Sequence, residues 1–176
     1  GTFSSAIPYE YCAAGYIPAD KGDGKYGVKE GTYVAEVNGK QYETLQAAID
    51  AAIRNQTVKL IADTTENVTM ETPYLTLDLN GHTLNGGQVK GTPALTVTAR
   101  VTVKDSSDAQ TGKIMREDTA ENSGVSSHYV IDIQGGGWLT FESGNVTNKS
   151  GNDDGKGASL VRVGDDTVAK LSLIHI

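Results

Sequence analysis

The chain has 176 residues, enough for one domain or one domain plus a small appendage, and with 38% apolar and 21% charged residues it has the balance of a folded rather than a disordered chain. A formal net charge of −7, spread without runs of like charge, repels nucleic acid and anionic membranes, and no apolar stretch is long enough for a membrane helix. The single cysteine, Cys12, rules out an internal disulfide or a cysteine zinc site; with no His nearby it reads as a small buried side chain.

In chain order, the Tyr-rich residues 1–31 come first. "YIPAD" and "KYGVKEG" flank a turn cluster and predict a small β-hairpin. Asp20 and Asp23 lack the spacing of an EF-hand loop and read as turn residues. Val34, Val37 and Tyr42 then flank Asn38-Gly39, a strong hairpin signal. Leu45, Ala48, Ile49, Ala52 and Ile53 form one apolar stripe at helical spacing and predict a helix near 44–54. Thr44 is its expected N-cap, and Asp50 and Arg54 an exposed i,i+4 pair.

From "TVKLIAD" onward the period changes to two. Short alternating segments follow one another, separated by Gly, Asn, Asp and Ser. In "LTLDLNGHTLNGG", Leu75, Leu77 and Leu79 share one face, Asp78 points to solvent, and Asn80–His82 turns a corner. Similar schemes recur at irregular spacing, as a solenoid would produce. Two features favour a mostly β right-handed parallel β-helix with one N-terminal capping α-helix and a short β-hairpin appendage. Corners such as "VTARVTV" and "VGDDTV" suit bends within one coil. The lone amphipathic helix stands where an open apolar end with unpaired strand edges needs covering.

The string "AEVNGKQYETLQAAIDAA", followed by "VKLIAD", "ENVTM" and "LTLDLNGHTL", resembles the opening of pectate-lyase-like right-handed β-helix modules in large repetitive bacterial cell-surface, adhesin-like proteins. The likeness covers about residues 32–148. The opening "GTFSS…YCAAGYIPADKGDGKYGVKEG" resembles the end of a preceding module. The resemblance implies the tail of one module with its Tyr-rich linker over 1–31 and a β-helix module over 32–170. It also implies an extracellular or surface location, neighbouring modules of the same chain, and adhesion or contact with host or bacterial glycans. The last residues, "LSLIHI", resemble a translated adapter used in DNA sequencing, so 171–176 are read as a non-native tail of a metagenomic fragment.

The chemistry is sparse. Polysaccharide lyases of this fold class hold Ca²⁺ with carboxylates beside a proton-abstracting Lys or Arg. The outward candidates for such a site are Asp78, Lys104, Asp105, Asp132 and Arg162, but alternation does not make them converge. Gly164-Asp165-Asp166 and Asn80-Gly81-His82 resemble polygalacturonase strings, but in reversed order and incomplete, so no catalytic residue is carried over. His82 reads as a turn residue, and Asp153-Asp154 and Asp165-Asp166 as turn chemistry. The Gly135–Gly137 run links strands and binds no nucleotide. Trp138 points outward if Leu139 and Phe141 point inward; it is either a sugar-stacking platform or covered by the loop "NKSGNDDGKG". The expected ligand-binding residues are Trp138, Asp132 and Arg162, with no catalytic set, no metal site and no cofactor; Ca²⁺ has no supporting pattern. The expected function is a non-catalytic structural or adhesive module, the alternative a fragment of a carbohydrate-active β-helix enzyme, a polysaccharide lyase or a glycoside hydrolase, and if an enzyme, a polysaccharide lyase.

Overall fold

The computed structural model describes residues 1–86, 92–117, 128–149 and 158–171. The loop 150–157, the Asp153-Asp154 pair and residues 172–176 lie outside the described residues. The chain divides into two compact units, Gly1–Tyr33 and Val34–Ile176.

In the first unit, β1 (Tyr16–Gly22) and β2 (Lys25–Glu30) pair antiparallel. Asp23 and Gly24 both take positive φ, 53° and 69°, the backbone of a tight type I′ hairpin turn. The Asp20 carboxylate accepts from the Gly22 N–H at 2.8 Å, so it serves the turn. Phe3 bridges to Tyr26, and Tyr9 meets Tyr33 edge-on at 5.1 Å. Cys12 is half-buried rather than buried, because this small hairpin has little interior to offer.

The second unit is mostly β with parallel sheets. It opens with an antiparallel hairpin, β3 (Ala35–Val37) and β4 (Lys40–Tyr42), turned by Asn38 and Gly39 at φ 48° and 75°. The helix α1 (Leu45–Ala51) follows. Next come β5 (Thr57–Leu60), β6 (Thr64–Thr65), β7 (Val68–Met70), β8 (Thr76–Asp78), β9 (Thr83–Gly86) and β10 (Leu95–Val97). Then come β11 (Arg100–Lys104), β12 (Lys113–Arg116), β13 (His128–Ile133), β14 (Trp138–Phe141), β15 (Asn145–Asn148), β16 (Ala158–Val163) and β17 (Val168–Leu171).

From β5 onward the chain visits three sheets in fixed rotation. The long sheet runs β17-β14-β11-β8-β5-β3-β4, the second β16-β13-β10-β7 and the third β15-β12-β9-β6. Each strand pairs in parallel with the strand three places on, so successive strands belong to different sheets and need only a polar corner between them. Inward residues stack in register: Val58, Leu77, Val103 and Phe141 form one column of the long sheet. They merge with Met70, Leu95 and Ile131 of the second sheet and Leu84, Ile114 and Val146 of the third into one core. Leu75, Leu77 and Leu79 are fully buried there.

α1 covers the β5–β7 end of this core. Leu45, Ala48 and Ile49 face inward. The Thr44 side chain accepts from the Ala47 N–H at 3.2 Å. Glu66 caps the same terminus from across the fold, its carboxylate accepting from the Leu45 and Gln46 N–H groups at 2.7 and 3.1 Å. The Gln46 amide then completes the edge of β7: it accepts from the Thr69 N–H at 2.8 Å and donates to the Thr69 carbonyl at 3.1 Å. A side chain thus replaces the missing neighbour strand.

The helix is shorter than its stripe suggests. It stops at Ala51, and Ile53 is 66% exposed. The chain must reverse into β5, and it does so through Asn55 at φ 66° and the Gln56 side chain, which accepts from the Ile53 N–H. Asp50 bonds Gln46 instead of Arg54, and Arg54 stacks on Tyr74. Replacing Gln46 and Glu66 together by Ala is expected to cost about 2–3 kcal/mol, from a lost cap and an uncovered edge. Amide exchange at Leu45, Gln46 and Thr69 should accelerate in that variant. Unchanged exchange at all three would show that these contacts do not hold the end closed.

Candidate functional site

The outward face of the long sheet is built by four strands that start in register. Tyr74 precedes β8, Arg100 opens β11, Trp138 opens β14 and Val168 opens β17; Arg100 pairs with Trp138, and Trp138 with Val168. Alternation then sends Leu75, Val101 and Leu139 inward and Thr76, Thr102 and Thr140 outward. Two parallel columns result, one of threonines and one of large aromatic and cationic groups.

The second column is a ladder. The Arg54 guanidinium lies 4.1 Å from the centre of the Tyr74 ring. That of Arg100 lies 5.6 Å from the Tyr74 ring and 4.7 Å from the Trp138 ring. Parallel strands lie about 4.8 Å apart, so Tyr74, Arg100 and Trp138, one per strand in register, come to stacking distance, while Arg54 reaches the Tyr74 ring from the turn before β5. Tyr74 holds its place at φ 63°, a left-handed conformation rare for an aromatic residue, with its N–H donating to the Arg100 carbonyl. Tyr74 and Trp138 remain 41% and 36% exposed. Beside the ladder runs a shallow groove of about 400 Å³, lined by Asn55, Tyr74, Thr76, Arg100, Thr140 and Glu142 among others.

Trp138 therefore points outward, but it is not a bare platform: a guanidinium stacks on its ring. Asp132 and Arg162 lie elsewhere, on β13 and β16 of the second sheet. Asp132 is buried rather than solvated, because Arg162 grips both its oxygens in a two-pronged ion pair and itself stacks 4.7 Å from the Tyr129 ring. That pair joins neighbouring strands, and the carboxylate in turn holds the Arg162 guanidinium above its ordinary pKa range, against a smaller opposing effect of burial.

Asp78 and Asp105 are corrected in the same way. Neither is a solvated surface carboxylate. Asp78 accepts from the Asn80 and Ser106 N–H groups, both at 3.0 Å. Asp105 is 3% exposed and accepts from Gly81 at 2.8 Å, Ser107 at 3.0 Å and Gly112 at 2.5 Å. They sit where the chain leaves the long sheet for the third, and their oxygens satisfy N–H groups that a sharp corner orphans. Gly112 is required there: a Cβ would lie 2.6 Å from the Asp105 carboxylate. Lys104, half-buried, pairs in register with Asp78 but does not join a cluster with Asp132 and Arg162. His82 is at the same corner, 3.5 Å from Asp63. Among the described residues no three His, Cys, Asp or Glu side chains are grouped to hold a metal.

Alternation alone misses Arg54, Tyr74 and Arg100, but a signal is present. "YLTLD", "RVTVK" and "WLTFE" superimpose residue for residue, and their first letters are Tyr74, Arg100 and Trp138; Arg54 lies outside this repeat. No family model, curated protein or solved structure matches this chain.

Proposed function

We propose that the second unit is a right-handed parallel β-helix module of a repetitive bacterial surface protein, and that its long sheet contacts glycans without cleaving them. The observation that carries the reading is the exposed ladder of Arg54, Tyr74, Arg100 and Trp138 beside the column Thr76, Thr102 and Thr140. It is shallow, open and runs across neighbouring strands, which suits an extended polymer better than an enclosed small molecule. The β-helix is supported by the fixed rotation through three parallel sheets around one core. The non-catalytic part is supported by the carboxylates. Those a lyase would turn toward Ca²⁺ already accept from corner N–H groups at Asp78 and Asp105, or hold Arg162 at Asp132. The surface location and the neighbouring modules rest on the sequence resemblance.

A glycan array probed with the intact protein tests the reading. Binding is expected without any new reducing end or unsaturated sugar, and Trp138→Ala should weaken it by about threefold to tenfold. Failure to retain any glycan, or the appearance of a cleavage product, would overturn it.

A further inference from the structure

We infer that the ladder recognises an anionic polysaccharide, an assignment that rests on the glycan-contact reading and narrows it. Among the described residues, neither Arg54 nor Arg100 makes an ion pair or a side-chain hydrogen bond. In a chain of net charge −7, carboxylates are plentiful, yet these two cations are held by aromatic rings instead. Stacking fixes a guanidinium by its face and leaves its N–H edge free, the geometry that takes a carboxylate or sulfate in two parallel hydrogen bonds. The column is therefore preorganised for an anion.

Arg54 and Arg100 both stack on Tyr74, 4.1 and 5.6 Å from its ring centre, so the two guanidiniums lie within about 10 Å of each other, the span of two strand spacings at most. An extended pyranose is close to one strand spacing long, so acidic groups on neighbouring or alternate sugars fall within that reach. Thr76, Thr102 and Thr140 run alongside and offer hydroxyls to the sugar ring oxygens and hydroxyls. Glu142 lines the same groove and opposes a negative ligand, so it sets an upper limit on affinity. A nucleic acid is a poorer fit: its phosphates fall on every residue, and two guanidiniums within an acidic protein neutralise few of them.

The test is titration calorimetry of the full chain with four probes: hyaluronan and chondroitin sulfate oligosaccharides, a neutral chitin oligosaccharide, and single-stranded oligo-dT. The two uronate polymers should bind at least about tenfold tighter than chitin or oligo-dT. Arg100→Gln should weaken them by about tenfold with no change in the unfolding midpoint, and Arg54→Gln with Arg100→Gln should abolish binding. Glu142→Gln should tighten it. Chitin binding as tightly as the uronate polymers would overturn the charge assignment while leaving glycan contact standing. Oligo-dT binding best would overturn it in favour of nucleic acid. Binding of no glycan would remove both this inference and the reading beneath it.

Discussion

Leu77→Asp is expected to abolish the cooperative urea transition of the second unit at 25 °C, or to leave only a small fraction folded. Leu77 is fully buried and stacks between Val58 and Val103 in the inward column of the long sheet. Removing its side chain from the core forfeits about 1.5–3 kcal/mol of burial. The carboxylate that replaces it has no donor within a column of aliphatic neighbours, and stranding a polar group there costs about 2–7 kcal/mol more even when it is protonated. Against a total stability of about 5–15 kcal/mol, the sum is most or all of it. Trp138, the single tryptophan, sits on the same sheet and reports the transition by fluorescence. Leu77→Met keeps volume and polarity and should cost less than about 1.5 kcal/mol. If Leu77→Asp unfolds at the same urea concentration as Leu77→Met, Leu77 does not point inward.

The neighbouring Asp78 shows where reading the sequence succeeds and where it stops. Alternation places Leu75, Leu77 and Leu79 on the inner face, and the structure buries all three. The same alternation sends Asp78 outward to solvent, and there it fails, because a strand's last residue belongs also to the corner that follows. The Ser106 N–H that covers Asp78 comes from another circuit of the chain, a long-range partner that no local pattern announces. Asp78→Ala is thus not a silent control for Leu77→Asp. Asn38-Gly39 and Asn80-Gly81 make a related point. Both take positive φ, yet one closes an antiparallel hairpin and the other turns a corner between parallel sheets. The dipeptide specifies a bend, and only the register of distant strands decides which kind. Arg54 illustrates the opposite error. Local helical spacing offers it Asp50, but the stack of strands brings it Tyr74, and a ring at 4.1 Å competes well with an exposed ion pair worth little in water.

Asp105→Asn should cost about 2–4 kcal/mol at pH 7, and that cost should shrink in acid. One carboxylate oxygen accepts from Gly81 and Ser107, the other from Gly112. An amide of the same shape offers one oxygen, so its NH₂ must face an N–H, leaving a buried donor unpaired and removing a charge-assisted bond. Burial alone would push the Asp105 carboxyl up, but the donated N–H groups of Ser107, Gly112 and Gly81 outweigh it and hold the group below its ordinary range. The sign follows from linkage. A carboxyl depressed on folding contributes its stability in full above the unfolded value, about 3.9, and loses it as the pH falls through the lower folded value. The chain carries 22 acidic side chains, so acid weakening of the parent protein alone cannot be assigned to Asp105. The difference between parent and Asp105→Asn can be, since the other carboxyls are common to both. That difference, measured by urea unfolding, should be flat from pH 7 to about 5 and fall below about pH 4. If it stays constant to pH 2.5, the Asp105 charge contributes nothing, and the corner is held by shape alone.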